Sequence, residues 1–322
     1  MPPTSSATAL APPVDEISHP APPHVRGPRV NLQRIGPVEF DFDRQVAVMA
    51  VVNRTPDSFY DRGATFAFDR AVESVVRAAD LGADWVDIGG VPFGRGPAVS
   101  VAEEIDRVAP VIAAVTAART DIVISVDTVR AEVARAAIEA GAAVINDTSG
   151  LGDPDMAAVV ADGKAHLIVC HSLGAPRQEK PAAHFDDVVG EVRAFLVERV
   201  ARAEAAGIPR GKMIIDPGHD LGKNTLHSLE LTRRLGEIAD IGLPLLAAVS
   251  NKDFIGESID RPVGQRLAGS LAAMTVCILG GARIVRMHDV EATVDAVRMI
   301  EAILGMRPPV RLEHNTHPTH NV

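Results

Sequence analysis

Aromatic side chains are scarce in this chain. One Trp, one Tyr and nine Phe make up 3% of 322 residues, so Val, Ile, Leu and Ala must fill the core. The abundance of Ala predicts close helix packing. Cysteine is nearly absent too. Cys170 and Cys277 are far apart in sequence and lie in apolar segments, so they read as reduced core residues of a cytoplasmic protein. No run is long enough to cross a bilayer: the longest uncharged stretch, Leu267–Ala282, stops at Arg283. A basic surplus is missing as well. The net charge of −10 argues against a nucleic-acid partner, which needs a basic patch. There is no Walker loop, no CxxC and no HExxH, and Asp147–Gly152 is too short and irregular for a nucleotide fingerprint.

The two ends carry what the middle lacks. Residues 1–28 hold eight prolines and much Ala and Ser, with no basic n-region and no continuous apolar h-region. This composition is not that of a signal peptide and predicts a disordered tail. Residues 307–322 predict a second one. His314, His317 and His320 recur there at spacing three, which reads as a solvated tail, with a metal site as the rival reading. One folded domain is expected over residues 29–306.

Within that span, strand-like and helix-like segments alternate eight times. Short apolar runs lie near Gln45–Val52, Trp85–Ile88, Asp121–Val126, Ala143–Ile145, His166–Cys170, Lys212–Ile215, Pro244–Val249 and Arg283–Val285. Helix-period segments follow each, near Asp69–Leu81, Val101–Ala118, Arg130–Ala140, Asp155–Ala161, Asp186–Ala206, Thr225–Ile238, Arg266–Leu279 and Glu291–Leu304. Continuous apolar strands are those buried on both faces. Eight such units predict an α/β fold, a (β/α)8 TIM barrel. A short hairpin, Val30–Arg34 and Val38–Phe42 around Gly36-Pro37, is expected before the first barrel strand and over its base.

In such a barrel the residues just past each strand face one another at one end. Here they are Asn53, Asp87, Asp127, Asn146 with Asp147, His171, Asp216, Ser250 to Lys252, and Arg286 with His288. Any one of them could be a loop or cap residue. Asp127-Thr128 before a helix is an ordinary capping pair, and His288 could cap the last helix. The whole ring points to a ligand site. A carboxylate such as Asp216 accepts two parallel hydrogen bonds from an amidine-like edge. Asn146 donates and accepts beside it, and Lys252 supplies a cation. Arg286 and His288 leave the last strand where such barrels bind phosphate.

These residues also carry a resemblance. Asn53-Arg54-Thr55-Pro56-Asp57-Ser58-Phe59 resembles the Asn-Val-Thr-Pro-Asp-Ser-Phe signature of dihydropteroate synthases, with Arg54 in place of Val. Gly82-Ala83-Asp84-Trp85-Val86-Asp87-Ile88-Gly89-Gly90, Ser125-Val126-Asp127-Thr128, Ile145-Asn146-Asp147, Asp216-Pro217-Gly218, Phe254-Ile255-Gly256 and Arg286-Met287-His288-Asp289-Val290 follow in that family's order. The resemblance spans about residues 29–304. It implies a pterin-like ligand held by Asp127, Asn146, Asp216 and Lys252. It implies a pyrophosphate with its Mg2+ at Asn53, and the same anion at Arg286 and His288. It also implies a homodimer, for which the apolar character of Leu267–Leu279 offers a contact.

The loops depart from the family pattern. Where the family has Gly-Gly-Glu-Ser-Thr-Arg-Pro-Gly, this chain has Gly89-Gly90-Val91-Pro92-Phe93-Gly94-Arg95-Gly96. Thr becomes Phe93, Arg becomes Gly94, and Arg95 comes one place late. The first loop carries Arg54 and Asp61-Arg62-Gly63. Ser250-Asn251-Lys252-Asp253-Phe254 replaces Ser-Arg-Lys-Ser-Phe, and Asp220 and Leu221 replace a Gly and an aromatic. One lost preorganised donor costs roughly 100- to 1,000-fold in rate. The expectation is a homologue inactive or severely impaired in joining 6-hydroxymethyl-dihydropterin pyrophosphate to p-aminobenzoate, still able to take sulfa- or sulfone-like ligands. Two alternatives stay open: an active synthase using relocated Arg54, Arg62 and Arg95, and a non-catalytic pterin-binding or regulatory paralogue. A corrinoid methyltransferase is a fourth reading, unsupported by any Asp-x-His-x-x-Gly motif.

Overall fold

The computed structural model describes residues 32–53, 68–92, 97–173 and 184–314. Arg54, Arg62, Phe93, Gly94, Arg95 and both expected tails, apart from residues 307–314, lie outside the described residues. The chain begins with the expected hairpin, β1 (Gln33–Ile35) paired antiparallel with β2 (Val38–Phe40). Its turn uses Gly36 at φ +56°, a conformation that favours glycine.

Eight parallel strands follow. They are β3 (Ala47–Asn53), β4 (Trp85–Gly89), β5 (Val123–Asp127), β6 (Val144–Asp147), β7 (His166–Cys170), β8 (Met213–Asp216), β9 (Leu246–Ala247) and β10 (Ile284–Met287). Their spatial order is β8-β7-β6-β5-β4-β3-β10-β9, and a parallel bridge between Ile215 and Leu245 joins β8 to β9 and closes the ring. The helices between them are α1 (Phe68–Asp80), α2 (Val101–Ala118), α3 (Ala131–Ala140), α4 (Met156–Gly163), α5 (Val188–Ala205), α6 (Thr225–Arg233), α7 (Leu235–Ala239), α8 (Asp253–Ile259), α9 (Leu267–Leu279) and α10 (Val290–Ile303). This is the (β/α)8 barrel that the alternation predicted.

Two details differ from the sequence reading. The single helix expected over Thr225–Ile238 is two, α6 and α7, meeting at Arg234, whose φ of −107° is not helical. The short helix α8 was not anticipated, because seven residues give too little period to read. No helix among the described residues is long and apolar enough to cross a membrane.

The strands divide the core in two. Alternate residues point to opposite faces, so Val48, Ala50 and Val52 of β3 join the large cluster between sheet and helices. Ala47 and Met49 join a separate cluster inside the barrel, with Trp85, Val123, Val144, Ile168, Ile214, Leu246 and Ile284. Ile35, Phe40 and Phe42 complete that inner cluster. The hairpin is therefore a plug. Phe40 stacks on Phe42 at 5.5 Å between centroids and tilts against Trp85 at 5.6 Å. Three of the chain's eleven aromatics thus fill the base of the barrel.

Truncating the plug tests this role. Phe40→Ala should cost about 3–5 kcal/mol of unfolding free energy. It should also shift the emission of Trp85, the sole tryptophan, to longer wavelength as water reaches the barrel base. An unchanged urea midpoint would show that the hairpin covers the barrel without supporting it.

Candidate ligand site at the barrel mouth

The same alternation aims the polar residues. Counting in twos from the inner cluster, Asn53, Asp87, Asp127, Asn146, Asp216 and Arg286 all fall on the inward face of their strands. Asp147 falls on the outward face. Its carboxylate accepts the N–H groups of Ser149 at 2.9 Å and Leu151 at 2.6 Å, so it shapes the loop after β6 rather than the mouth.

Asp87, fully buried, is the hub. Its Oδ1 accepts Ser125 Oγ at 2.7 Å, and its Oδ2 accepts Asn146 Nδ2 at 3.0 Å and Arg286 Nε at 2.7 Å. One carboxylate thus ties β4 to β5, β6 and β10. Arg286 reaches on to Asp127, with Nη2 3.5 Å from Oδ2. Burial and the neighbouring Asp87 charge hold the Asp127 carboxyl above the usual carboxylate range, with Arg286 opposing them. Asp127 is 31% exposed, facing the mouth. Gly89 permits this closeness: a Cβ there would stand 3.0 Å from Asn53 Oδ1 and 3.9 Å from Asp127 Cβ.

Asn146 is half satisfied. Its Nδ2 is fixed on Asp87, while its Oδ1 is buried with no hydrogen-bond partner among the described residues. Asp216 accepts the Gly218 N–H at 2.7 Å through Oδ1. Burial raises its pKa, against the pull of that N–H, Lys252 and Lys223. Lys252 donates its ammonium to the His219 carbonyl. At β10, the His288 ring meets Ser250 Oγ at 2.9 Å through Nδ1.

The capping alternatives do not apply. The residue flanking α3 is Arg130, and the Ala131 N–H goes to Asp153 at 2.8 Å. Asp289, not His288, caps α10. Thr128 donates to buried Glu104 at 2.6 Å and accepts the Arg130 N–H at 3.3 Å, ahead of the helix proper. His171 stands beside the ring rather than in it, held by Lys223 Nζ at 2.8 Å and edge-on to Phe195. Burial and that ammonium push its pKa down to about 3. Asp253 is no bare acid: it is 81% exposed and pairs with Arg266 at 3.0 Å. Asn251 is buried at φ +61°, its N–H on Ser270 Oγ. The hub role of Asp87 and the partners Glu104 and Lys223 were not singled out in the sequence. In the sequence Asp87 reads only as one polar strand end among several, although an acid inside an apolar strand is a signal for more.

Residues 49–288 match the family described as pterin binding enzyme. The chain belongs to that family. It is 45% identical over 278 residues to inactive dihydropteroate synthase 2 of Mycobacterium leprae, covering 84% of this chain and 94% of that protein. It is 39% identical over 267 residues to dihydropteroate synthase of Escherichia coli K12, covering 83% and 94%. Its fold is similar to a solved Xanthomonas albilineans dihydropteroate synthase with 4-aminobenzoic acid, at TM-score 0.76 and 43% identity, covering 82% and 95%. This member of the pterin-binding family is thus a dihydropteroate synthase homologue.

The Asp87–Arg286–Asp127 bridge makes a prediction. Arg286→Met leaves two carboxylates facing each other without their cation. It should destabilise the fold by about 3 kcal/mol or more at pH 7.5. Without the arginine, the Asp127 carboxyl loses the charge that opposes its raised pKa, and takes a proton more readily. The penalty should therefore be smaller at pH 5, where one acid takes a proton, than at pH 7.5. Equal penalties in urea titrations at the two pH values would refute the bridge.

Proposed function

We propose that the barrel mouth is a pterin-like binding pocket on a homologue that no longer joins its pterin pyrophosphate to p-aminobenzoate at a useful rate. One observation supports the pocket above others. The buried Asn146 Oδ1 has no partner among the described residues and lies on the inward face, as does Asp216. A buried unpaired carbonyl costs about 1–3 kcal/mol, and a ligand N–H there removes that cost. Asp216 would take the amidine-like edge of a pterin. Asp127 would sit over another ring edge, and Lys252 would exchange the His219 carbonyl for a ring acceptor.

The anion half is weaker. Arg286 is engaged by Asp87 and Asp127, and His288 by Ser250. Asn53 is the residue that would meet Mg2+ carried by a pyrophosphate. An amide oxygen is a donor of the hard type magnesium takes, and magnesium keeps waters and phosphate oxygens for its remaining positions. No three His, Cys, Asp or Glu gather as a metal site among the described residues.

The loss of the parent reaction rests on Phe93, Gly94 and Asn251, where the family pattern has Thr, Arg and Arg. Phe93 and Gly94 bring no side-chain donor. Resemblance to a relative named inactive, closer than to the Escherichia coli enzyme, supports the same reading. Neutral sulfone-like amines would be tolerated better than anions. A cytoplasmic setting fits the two buried, unpaired cysteines. A homodimer through α9 and α10 fits their exposed Leu267, Val276, Leu279, Met299 and Ile303.

Two measurements check this. With both substrates and Mg2+, the unaltered protein should form dihydropteroate at least about 100-fold more slowly than an active synthase, and restoring Thr-Arg at 93–94 and Ser-Arg-Lys-Ser at 250–253 should raise the rate. Fast turnover by the unaltered protein would instead establish the relocated-arginine reading. For the dimer, scattering at micromolar concentration should give twice the chain mass of 34.0 kDa. A monomer mass would defeat it.

A further inference from the structure

Asp220 departs from the Gly of the family pattern, and the pocket reading gives it no task. Its backbone lies at φ +62°, in the left-handed region where a side chain is usually a liability. Asp is among the few residues that tolerate this region, and here every polar atom of the side chain is engaged. Oδ2 accepts the N–H groups of Asp253 at 2.6 Å and Phe254 at 3.2 Å. Oδ1 accepts from Ser228 Oγ at 2.9 Å, and the Asp220 N–H donates back to Ser228 Oγ at 3.1 Å.

Those two N–H groups are the first of α8. The flanking residue, Lys252, makes no side-chain cap bond of its own. A helix start needs an acceptor there, and Asp220 supplies it from another loop. A second contact runs the opposite way, from the Lys252 ammonium to the carbonyl of His219. The His219 ring, fully buried, stacks on Phe254 at 5.9 Å. Residues 219–220 and 252–254 thus clasp each other in both directions, one residue apart.

We propose that Asp220 is a positioning residue that fixes the start of α8 and so sets where the Lys252 ammonium stands at the mouth. The role rests on the pocket reading above. Lys252 must let go of His219 to meet a ring acceptor. Its side chain can swing only if its backbone stays in place, and Asp220 holds that backbone. Without the clasp, the first turn of α8 loosens and the ammonium loses its aim.

The test uses full-length protein and 6-hydroxymethylpterin, with Asp220→Ala, Asp220→Asn, Lys252→Met and Asp220→Ala/Lys252→Met. In the ligand-free protein, Asp220→Ala should speed hydrogen exchange of the Asp253 and Phe254 amides by roughly tenfold. Asp220→Asn, which keeps an accepting oxygen, should not. Calorimetry should show affinity falling about fivefold or more in Asp220→Ala and recovering in Asp220→Asn. That loss should vanish in the Lys252→Met background, where there is no ammonium to place. Asp187→Ala removes the cap bond of α5 and no contact of the clasp, so its affinity should match the unaltered protein. Unchanged exchange in Asp220→Ala overturns the clasp whatever binds. Faster exchange with unchanged affinity, or an equal loss in the Lys252→Met background, overturns the positioning role. Failure of the unaltered protein to bind the pterin overturns the pocket reading and this role with it, while the exchange result still judges the clasp.

Discussion

A single buried carboxylate organises the mouth of this barrel. Asp87 is shut off from water, and a charge in that position survives only with several donors around it. It takes Ser125, Asn146 and Arg286 from three other strands. Each donor is thereby pinned. Asn146 cannot turn its amide without breaking its bond to Asp87, so its oxygen is left facing inward. Arg286 cannot leave without exposing Asp87 and Asp127 to each other. The pocket is preorganised by the needs of one acid rather than by the ligand.

The rim is built on a different principle. There the loops hold each other through side chains that stand in for backbone partners: Asp220 on α8, Arg266 on the Asn251 carbonyl and Asp253, and Lys223 on the carbonyls of Gly218 and Leu221. None of these rim bonds involves Asp87 or its three donors. Substitutions in the rim can therefore change what reaches the pocket while the floor keeps its geometry, which is the pattern the sequence shows.

Most of the barrel was legible because its signals are periodic. Apolar runs separated by helix-period segments count the strands, and α3 ends on Gly141 at φ +115°, a left-handed turn that glycine favours. The inward residues at strand ends were legible for the same reason. What was hidden depends on contacts between distant segments. Nothing local marks α8, whose start is capped from residue 220. Nothing near Asp253 shows that Arg266 will meet it. The break at Arg234 belongs to a helix whose sequence reads as continuous. Asp87 was visible as a polar strand end, but its place as hub appears only when β10 closes against β3.

Charge at the rim is therefore not the sum of its sequence. Asn251 and Asp253 read as one cation lost and one anion gained. In the structure Arg266 lies between them, giving Nη1 to both the Asn251 carbonyl and the Asp253 carboxylate. Asp253 itself is exposed, so the pair contributes little to stability, but the guanidinium offsets the charge that the new acid would present to a ligand. Asp220 is likewise turned onto backbone N–H groups rather than outward. On the proposed reading, the obstacle to the parent reaction then lies less in repulsion by new acids than in missing donors. Repulsion is screened by salt, whereas an absent donor is absent at every ionic strength. A rate that stays low at high salt is the behaviour expected of this mouth.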